Sequence, residues 1–132
     1  MRIPLNTALW LAAIAVAGSL SAVAPAAAGN DAVTTQVGRN NYSEATQRGR
    51  DNVSVHGQAG RGNTASSTQR GRGNLSAVSQ IGRGHTSVNN QRGSRNTSSV
   101  HQHGSGRSYQ ATSQNGRGNV SVTVQTDSRS RR

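Results

Sequence analysis

Polar and β-compatible residues alternate along most of this chain, and the alternation restarts at a fixed interval. In the stretch from Asn74, the positions Asn74, Ser76, Val78 and Gln80 alternate with Leu75, Ala77 and Ser79. Alternate side chains of an extended strand share a face, so Asn, a small residue, a fourth-position residue and Gln point one way. The same pattern, N/S-x-S/A-x-x-x-Q followed by x-G-R-G or a close variant, fills residues 30 to 126. It predicts nine strands of seven residues, starting at 30, 41, 52, 63, 74, 85, 96, 108 and 119. Four turn residues follow each one, with Gly available for positive φ.

The interval is eleven residues. Gln recurs at Gln36, Gln47, Gln58, Gln69, Gln80, Gln91 and Gln102, then, after one step of twelve, at Gln114 and Gln125. Two residues after Gln comes Gly38, Gly49, Gly60, Gly71, Gly82, Gly93, Gly104 and Gly116, with Asp127 closing the series. The strands begin with Asn30, Asn41, Asn52, Asn63, Asn74, His85, Asn96, Ser108 and Asn119. The extra residue lies in the corner after Gln102, because "SYQATSQ" from Ser108 is a unit of full length.

A second rhythm doubles the period. The residue after Gln runs Val37, Arg48, Ala59, Arg70, Ile81, Arg92, His103, Asn115. The third inward position, four residues after the first, separates likewise into Thr34, His56, Val78, Val100 and Thr123 against Ala45, Ser67, Asn89 and Thr112. Two different sheets facing each other require such alternation, and a low-complexity disordered chain does not. The predicted fold is all-β: a β-solenoid of strand–turn–strand–turn coils of 22 residues, built from half-coils of 11. Coils stacked about 4.8 Å apart place each Asn and Gln over its equivalent, where side-chain amides can bond up and down a ladder. Ser and Ala between them let the two sheets approach.

Composition explains why ladders are needed. Residues 1–28 read as a secretory signal, with Arg2, the apolar run "ALWLAAIAVAGSL" and the small-residue end "APAAA". The run is too short to span a bilayer as a helix. In the 104 residues from Gly29 to Arg132, Ala, Val, Ile, Leu and Tyr together number 20. That is too little apolar area to offset chain entropy in an ordinary core; amide ladders and backbone pairing must replace it. Residues 29–126 form the repeat domain, and 127–132 a basic tail ending "RSRR". There is no Cys, so no disulfide or thiolate metal site is expected.

A solenoid whose end coils lack caps exposes unpaired strand edges. The repeats start almost at the expected cleavage site, and nine strands leave an odd half-coil. Ends of matching period favour end-to-end addition into a cross-β fibre.

These residues resemble the curlin family, the subunits of bacterial curli amyloid, whose repeat has the form S-x5-Q-x4-N-x5-Q. "SYQATSQNGRGNVSVTVQ" from Ser108 to Gln125 fits every spacing, and "VQTDSR" from Val124 resembles the family's repeat ending. The resemblance covers Asn30 to about Arg129. It implies secretion through the outer membrane by the curli secretion and assembly machinery. It also implies self-assembly, alone or with other curlin subunits, into extracellular surface fibres for adhesion, aggregation and biofilm matrix. The resemblance leaves a choice between the major subunit and the minor, nucleating one; the Arg content and the "RSRR" ending favour the minor. The chain departs from the family in lacking a mature segment before the repeats, in having few strand aromatics (Tyr42 and Tyr109), in His85 at an Asn position, and in Ser94 and Ser105 at corner Arg positions.

Net charge is +11, falling to +10 without Arg2, and every basic residue other than His is Arg. Arg48, Arg70 and Arg92 recur every 22 residues and should stack; corner Arg39, Arg61 and Arg83 form a second column, and Arg50 and Arg72 a third. Neighbouring unit charges repel by about 1 kcal/mol in water before screening. One reading is a gatekeeping surface that keeps subunits soluble. The other is a strip for extracellular DNA or acidic polysaccharide, multiplied by avidity along a fibre. The competing class is an Arg/Gly-rich nucleic-acid-binding protein, suggested by "RGRG". The strict period, the export signal and the lack of interleaved aromatics oppose it. An end-capped monomeric solenoid such as an ice-binding plate would want flat rows of Thr, and the outward positions are mixed. Asp31, Glu44, Asp51 and Asp127 are isolated and form no catalytic pair, so no enzyme and no cofactor are expected. His101 and His103 share a face as an H-x-H pair, which could bind a metal or serve as hydrogen-bonding edge residues.

Overall fold

The structure is a computed structural model and describes residues 29–127. The expected signal segment, residues 1–28, and all of the tail beyond Asp127 lie outside the described residues. Nine strands follow one another: β1 (Asp31–Arg39), β2 (Tyr42–Arg50), β3 (Val53–Arg61), β4 (Thr64–Arg72), β5 (Leu75–Arg83), β6 (Thr86–Ser94), β7 (Thr97–Gly104), β8 (Tyr109–Arg117) and β9 (Val120–Asp127). Odd strands pair in parallel in the order β1-β3-β5-β7-β9, and even strands in the order β2-β4-β6-β8. The fold is therefore the expected solenoid, with equivalent residues 22 apart in register, as Gln36 against Gln58 and Gln47 against Gln69.

The inward face is the one the alternation predicts. In β5 the buried positions are Ser76, Val78 and Gln80, with Asn74 buried at the corner before them. Among the described residues only Ala65, Val78 and Val100 are buried apolar residues. The space between the sheets is a polar zipper: Ser67 and Ser76 share a hydrogen bond of 2.8 Å, Asn89 Nδ2 donates to Ser76 Oγ at 3.0 Å, and Ser98 Oγ donates to Asn89 Oδ1 at 3.3 Å. Small hydroxyls hold the sheets close enough for these bonds, and each buried polar atom so paired avoids a desolvation penalty.

The strands differ from expectation at both ends. Most run nine residues rather than seven, starting one residue after Asn and continuing through Gly to Arg. The reason lies at the glycine. Gly82 has φ 131° and stays paired with Gly104 in the sheet, and a Cβ there would drive into the Gly104 carbonyl oxygen of the next coil. Glycine is required by close backbone stacking within the strand. The actual corner is only two residues long, and its first member takes the left-handed conformation: Gly62 at φ 66°, but also Asn40 at 56°, Asp51 at 58° and Arg95 at 57°. The inserted residue lies where expected, lengthening the corner between β7 and β8.

Candidate functional site

The most regular chemistry in the molecule is its pair of glutamine ladders. In the odd-strand sheet, Gln36 Nε2 donates to Gln58 Oε1 at 2.6 Å, Gln58 to Gln80 at 2.8 Å, Gln80 to Gln102 at 2.8 Å and Gln102 to Gln125 at 2.7 Å. In the even-strand sheet, Gln47 donates to Gln69 at 2.8 Å, Gln69 to Gln91 at 2.9 Å and Gln91 to Gln114 at 2.8 Å. Every link points from the N-terminal coil to the C-terminal coil. From Gln47 onward, the second hydrogen of each amide crosses to the first residue of the preceding strand, as Gln69 Nε2 to the Val53 carbonyl at 2.9 Å and Gln80 Nε2 to that of Thr64 at 2.9 Å. Each glutamine from Gln47 to Gln102 thus ties its own rung to the next and one sheet to the other.

The asparagines work mainly through the backbone. Asn74 Oδ1 accepts the Asn96 amide N–H at 3.1 Å, and Asn63 Oδ1 accepts that of His85 at 3.1 Å. Their Nδ2 groups donate to carbonyls, Asn63 to Gly82 at 3.2 Å and Asn74 to Gly93 at 3.1 Å. Among the described asparagines, amide-to-amide bonds run along Asn30, Asn52 and Asn74. Asn41 and Asn96 hold the same backbone roles, while Asn119, just before the last strand, donates its backbone N–H to Asn96 Oδ1 and its Nδ2 to the Asn115 carbonyl. At the lengthened corner Ser108 contributes its carbonyl, which accepts from Thr86 N at 2.8 Å and Gln102 Nε2 at 3.2 Å. Gly38, Gly49, Gly60, Gly71, Gly93 and Gly116, expected in the turns, likewise lie within strands, with φ between 114° and 130°.

Two histidines play parts that the pattern alone does not disclose. His56 is buried in the column of Val78 and Val100, with Nδ1 at 2.6 Å from Ser43 Oγ and Nε2 at 2.7 Å from Ser67 Oγ. Burial among neutral groups lowers its pKa from the ordinary 6.5 to about 4. Its place in a column otherwise of Val and Thr was the available signal. His85 stands in the Asn column; its Nε2 bonds the Ile81 and Gly104 carbonyls, and its buried Nδ1 has no partner among the described residues. His101 and His103 are exposed on the outer face of β7. Among the described residues no group of three or more His, Cys, Asp or Glu gathers to hold a metal, and no helix is long and apolar enough to cross a membrane.

The two outer faces differ. Arg48, Arg70 and Arg92 stand in register on the even-strand sheet, all exposed. The matching column of the odd-strand sheet runs Val37, Ala59, Ile81, His103 and Thr126, and that sheet ends with Val120, Val122 and Val124 exposed on β9. Arg39, Arg61 and Arg83 line up at the strand ends, and Arg61 and Arg83 share an open groove with Arg107.

The curlin associated repeat family matches residues 60–88. That stretch holds β4 and β5 whole, the end of β3 and the start of β6, and so contains one complete curlin-type coil. The match and the parallel solenoid agree with curlin-family proteins in general. No curated protein and no solved structure matches the chain.

Proposed function

We propose that this chain is a secreted structural subunit that polymerises end to end into curli-type amyloid fibres at the bacterial surface. On this reading residues 1–28 are a removed signal, and the outer-membrane curli machinery exports the rest. The fibres serve adhesion, aggregation and biofilm matrix, and the arginine content suits a minor, nucleating subunit working with a less basic curlin.

One observation carries the reading. The end strands have the interior chemistry but no neighbour among the described residues: Ala32, Thr34 and Gln36 occupy inward positions of β1 and are exposed. A parallel ladder cut in this way presents the same side chains and backbone groups that hold the coils together, so a further copy can extend it. Arg39, Arg48 and Arg50 of these edge strands are exposed at the strand end or on the outer face, so none of them occupies an inward ladder position.

Incubating the purified chain with an amyloid dye, imaging it and recording fibre diffraction tests the proposal. Fibres with a meridional reflection near 4.8 Å are expected. A chain that stays soluble at high concentration and never gives that reflection overturns it. The register of Arg48, Arg70 and Arg92 favours a second, compatible role: electrostatic capture of DNA or acidic polysaccharide by the fibre.

A further inference from the structure

The described solenoid contains five strands in one sheet and four in the other. At its N-terminal end both sheets stop on the first coil, at β1 and β2. At its C-terminal end β9 stands one rung beyond β8. This mismatch dictates how a second copy can join, given the polymerising function proposed above.

If the incoming copy kept the same orientation, its β1 would pair with β9 and its β2 would lie one rung higher. The even-strand sheet would then lack one strand, and the β8 edge would face an empty slot. Buried backbone groups without partners and an unfilled slot are both unfavourable. If the incoming copy is instead turned by half a revolution about the solenoid axis, its β1 pairs with β8 and its β2 with β9. Every rung of both sheets is then filled. We infer that this protein assembles head to tail with a half-turn between successive copies, so that odd and even strands exchange sheets at each junction.

The hydrogen bonds match this arrangement in direction and count. Among the described residues, Gln114 Nε2 donates only to the Thr97 carbonyl, at 3.0 Å, and Gln125 Nε2 only to that of Tyr109, at 3.2 Å. Each keeps one hydrogen for a further rung. At the opposite end the Oε1 atoms of Gln36 and Gln47 accept no bond among the described residues, although both Nε2 groups donate. The half-turn brings Gln114 under Gln36 and Gln125 under Gln47, donor to acceptor. It also makes β9 the strand preceding the incoming β1, so Gln36 gains the one cross-sheet bond it lacks, to the Val120 carbonyl. The newly closed rung pairs Ser121 and Thr123 with Ala32 and Thr34, small residues of the kind that fill the rest of the interior.

The outer surface follows. Arg48, Arg70 and Arg92 of one copy would lie on the opposite side of the fibre from those of the next, separated along each side by the Val37, Ala59 and Ile81 column. Same-orientation stacking would instead place every such arginine on one side, where like charges repel.

The chain has no cysteine, which permits a direct test with the full chain. Thr46 and Val124 each stand one residue before a ladder glutamine, on outer faces. The half-turn places Thr46 of one copy beside Val124 of the next, at the strand-to-strand distance a disulfide spans. The double variant Thr46→Cys with Val124→Cys should form fibres that oxidise to a ladder of linked oligomers, collapsed by reductant. Thr35→Cys with Val124→Cys should form fibres without such links. The reverse pattern, or fibres of the first variant that never link, overturns the half-turn. Failure of every variant and of the unchanged protein to form fibres overturns the polymerising function itself. Helical reconstruction of unmodified fibres gives a second reading: a rise of about 22 Å with a near-half-turn, against about 24 Å without it.

Discussion

Gln80 and Gln102 stand on adjacent rungs of one sheet, 22 residues apart, with Nε2 of the first donating to Oε1 of the second at 2.8 Å. Both side chains are wholly buried. A primary amide is well suited to this place, because it supplies two donors and an acceptor on a short flexible stem. One donor serves the ladder, the other crosses to the opposite sheet, and the oxygen receives the rung before.

Removing one such amide should therefore cost more than one hydrogen bond. Gln80→Ala leaves one Gln58 amide hydrogen and the Gln102 oxygen without partners, removes the cross-sheet bond to the Thr64 carbonyl and opens a void. At about 1–3 kcal/mol for each stranded buried group, the expected loss is at least about 2 kcal/mol. It is read as a fall in the denaturant midpoint of the assembled protein. At the two ends, Gln47→Ala and Asn119→Ala should slow fibre elongation. Ser66 points outward, and Ser66→Ala should change either measurement by less than about 0.5 kcal/mol. Equal effects from all of these would refute the ladder.

The two glycine classes should respond differently. Gly62 has φ 66° with open space where a Cβ would stand, so Gly62→Ala should cost about 1–2 kcal/mol; Asn40, Asp51 and Arg95 already occupy the equivalent conformation. Gly82→Ala must push the Gly104 backbone away, separating two rungs. That variant should lose protease resistance and the inter-strand reflection, while Gly62→Ala keeps both.

Much of this was legible because the period is so strict. The doubled rhythm of Val37 against Arg48, and of Val78 against Asn89, is enough to infer two sheets, the inward face and the register. The strand ends were not legible, because a glycine such as Gly82 reads as a turn when only its sequence is seen. What it supplies is a strand position without a Cβ, which becomes apparent only once the next coil's carbonyl is in place. The asparagine chemistry was likewise half visible. Asn74 does lie over Asn52, but Oδ1 of Asn74 serves the Asn96 backbone N–H, a bond that depends on the tight corner. His56 carried a signal in its column, yet nothing local told that Ser43 and Ser67 would bracket it.

Buried His56 makes the fold sensitive to acid. Its folded pKa of about 4 lies below the ordinary 6.5. The unfolded chain therefore takes up a proton as pH falls through 6.5, while the folded one resists until about 4. The stability is whole above about pH 6.5 and declines between there and 4. At pH 4.5 the loss is at most about 3 kcal/mol. No charged group faces it: Thr34 and Val78 are its rung neighbours, and Ser43, Ser54 and Ser67 its hydrogen-bonding partners. His56→Val, which copies Val78, should flatten the denaturant midpoint between pH 7.5 and 4.5. An unchanged slope would remove His56 from the account.

The arginine columns make a different prediction, in salt rather than in pH. A surface that holds DNA by charge alone loses affinity as salt displaces it, with a slope of about −0.9 in log–log form for each phosphate neutralised. Arg48, Arg70 and Arg92 are exposed and in register, so they offer charge at regular spacing without an element to read bases. Duplex DNA of any sequence should bind assembled protein tightly at low salt and poorly at high salt. Replacing all three with Gln leaves the interior ladders untouched and should reduce the slope by about 2–3. The same change in Arg39, Arg61 and Arg83 tests whether the corner column shares the load. Binding that ignores salt, or that is absent from fibres at low ionic strength, would leave the columns with gatekeeping alone, a role in which the triple variant aggregates before it assembles.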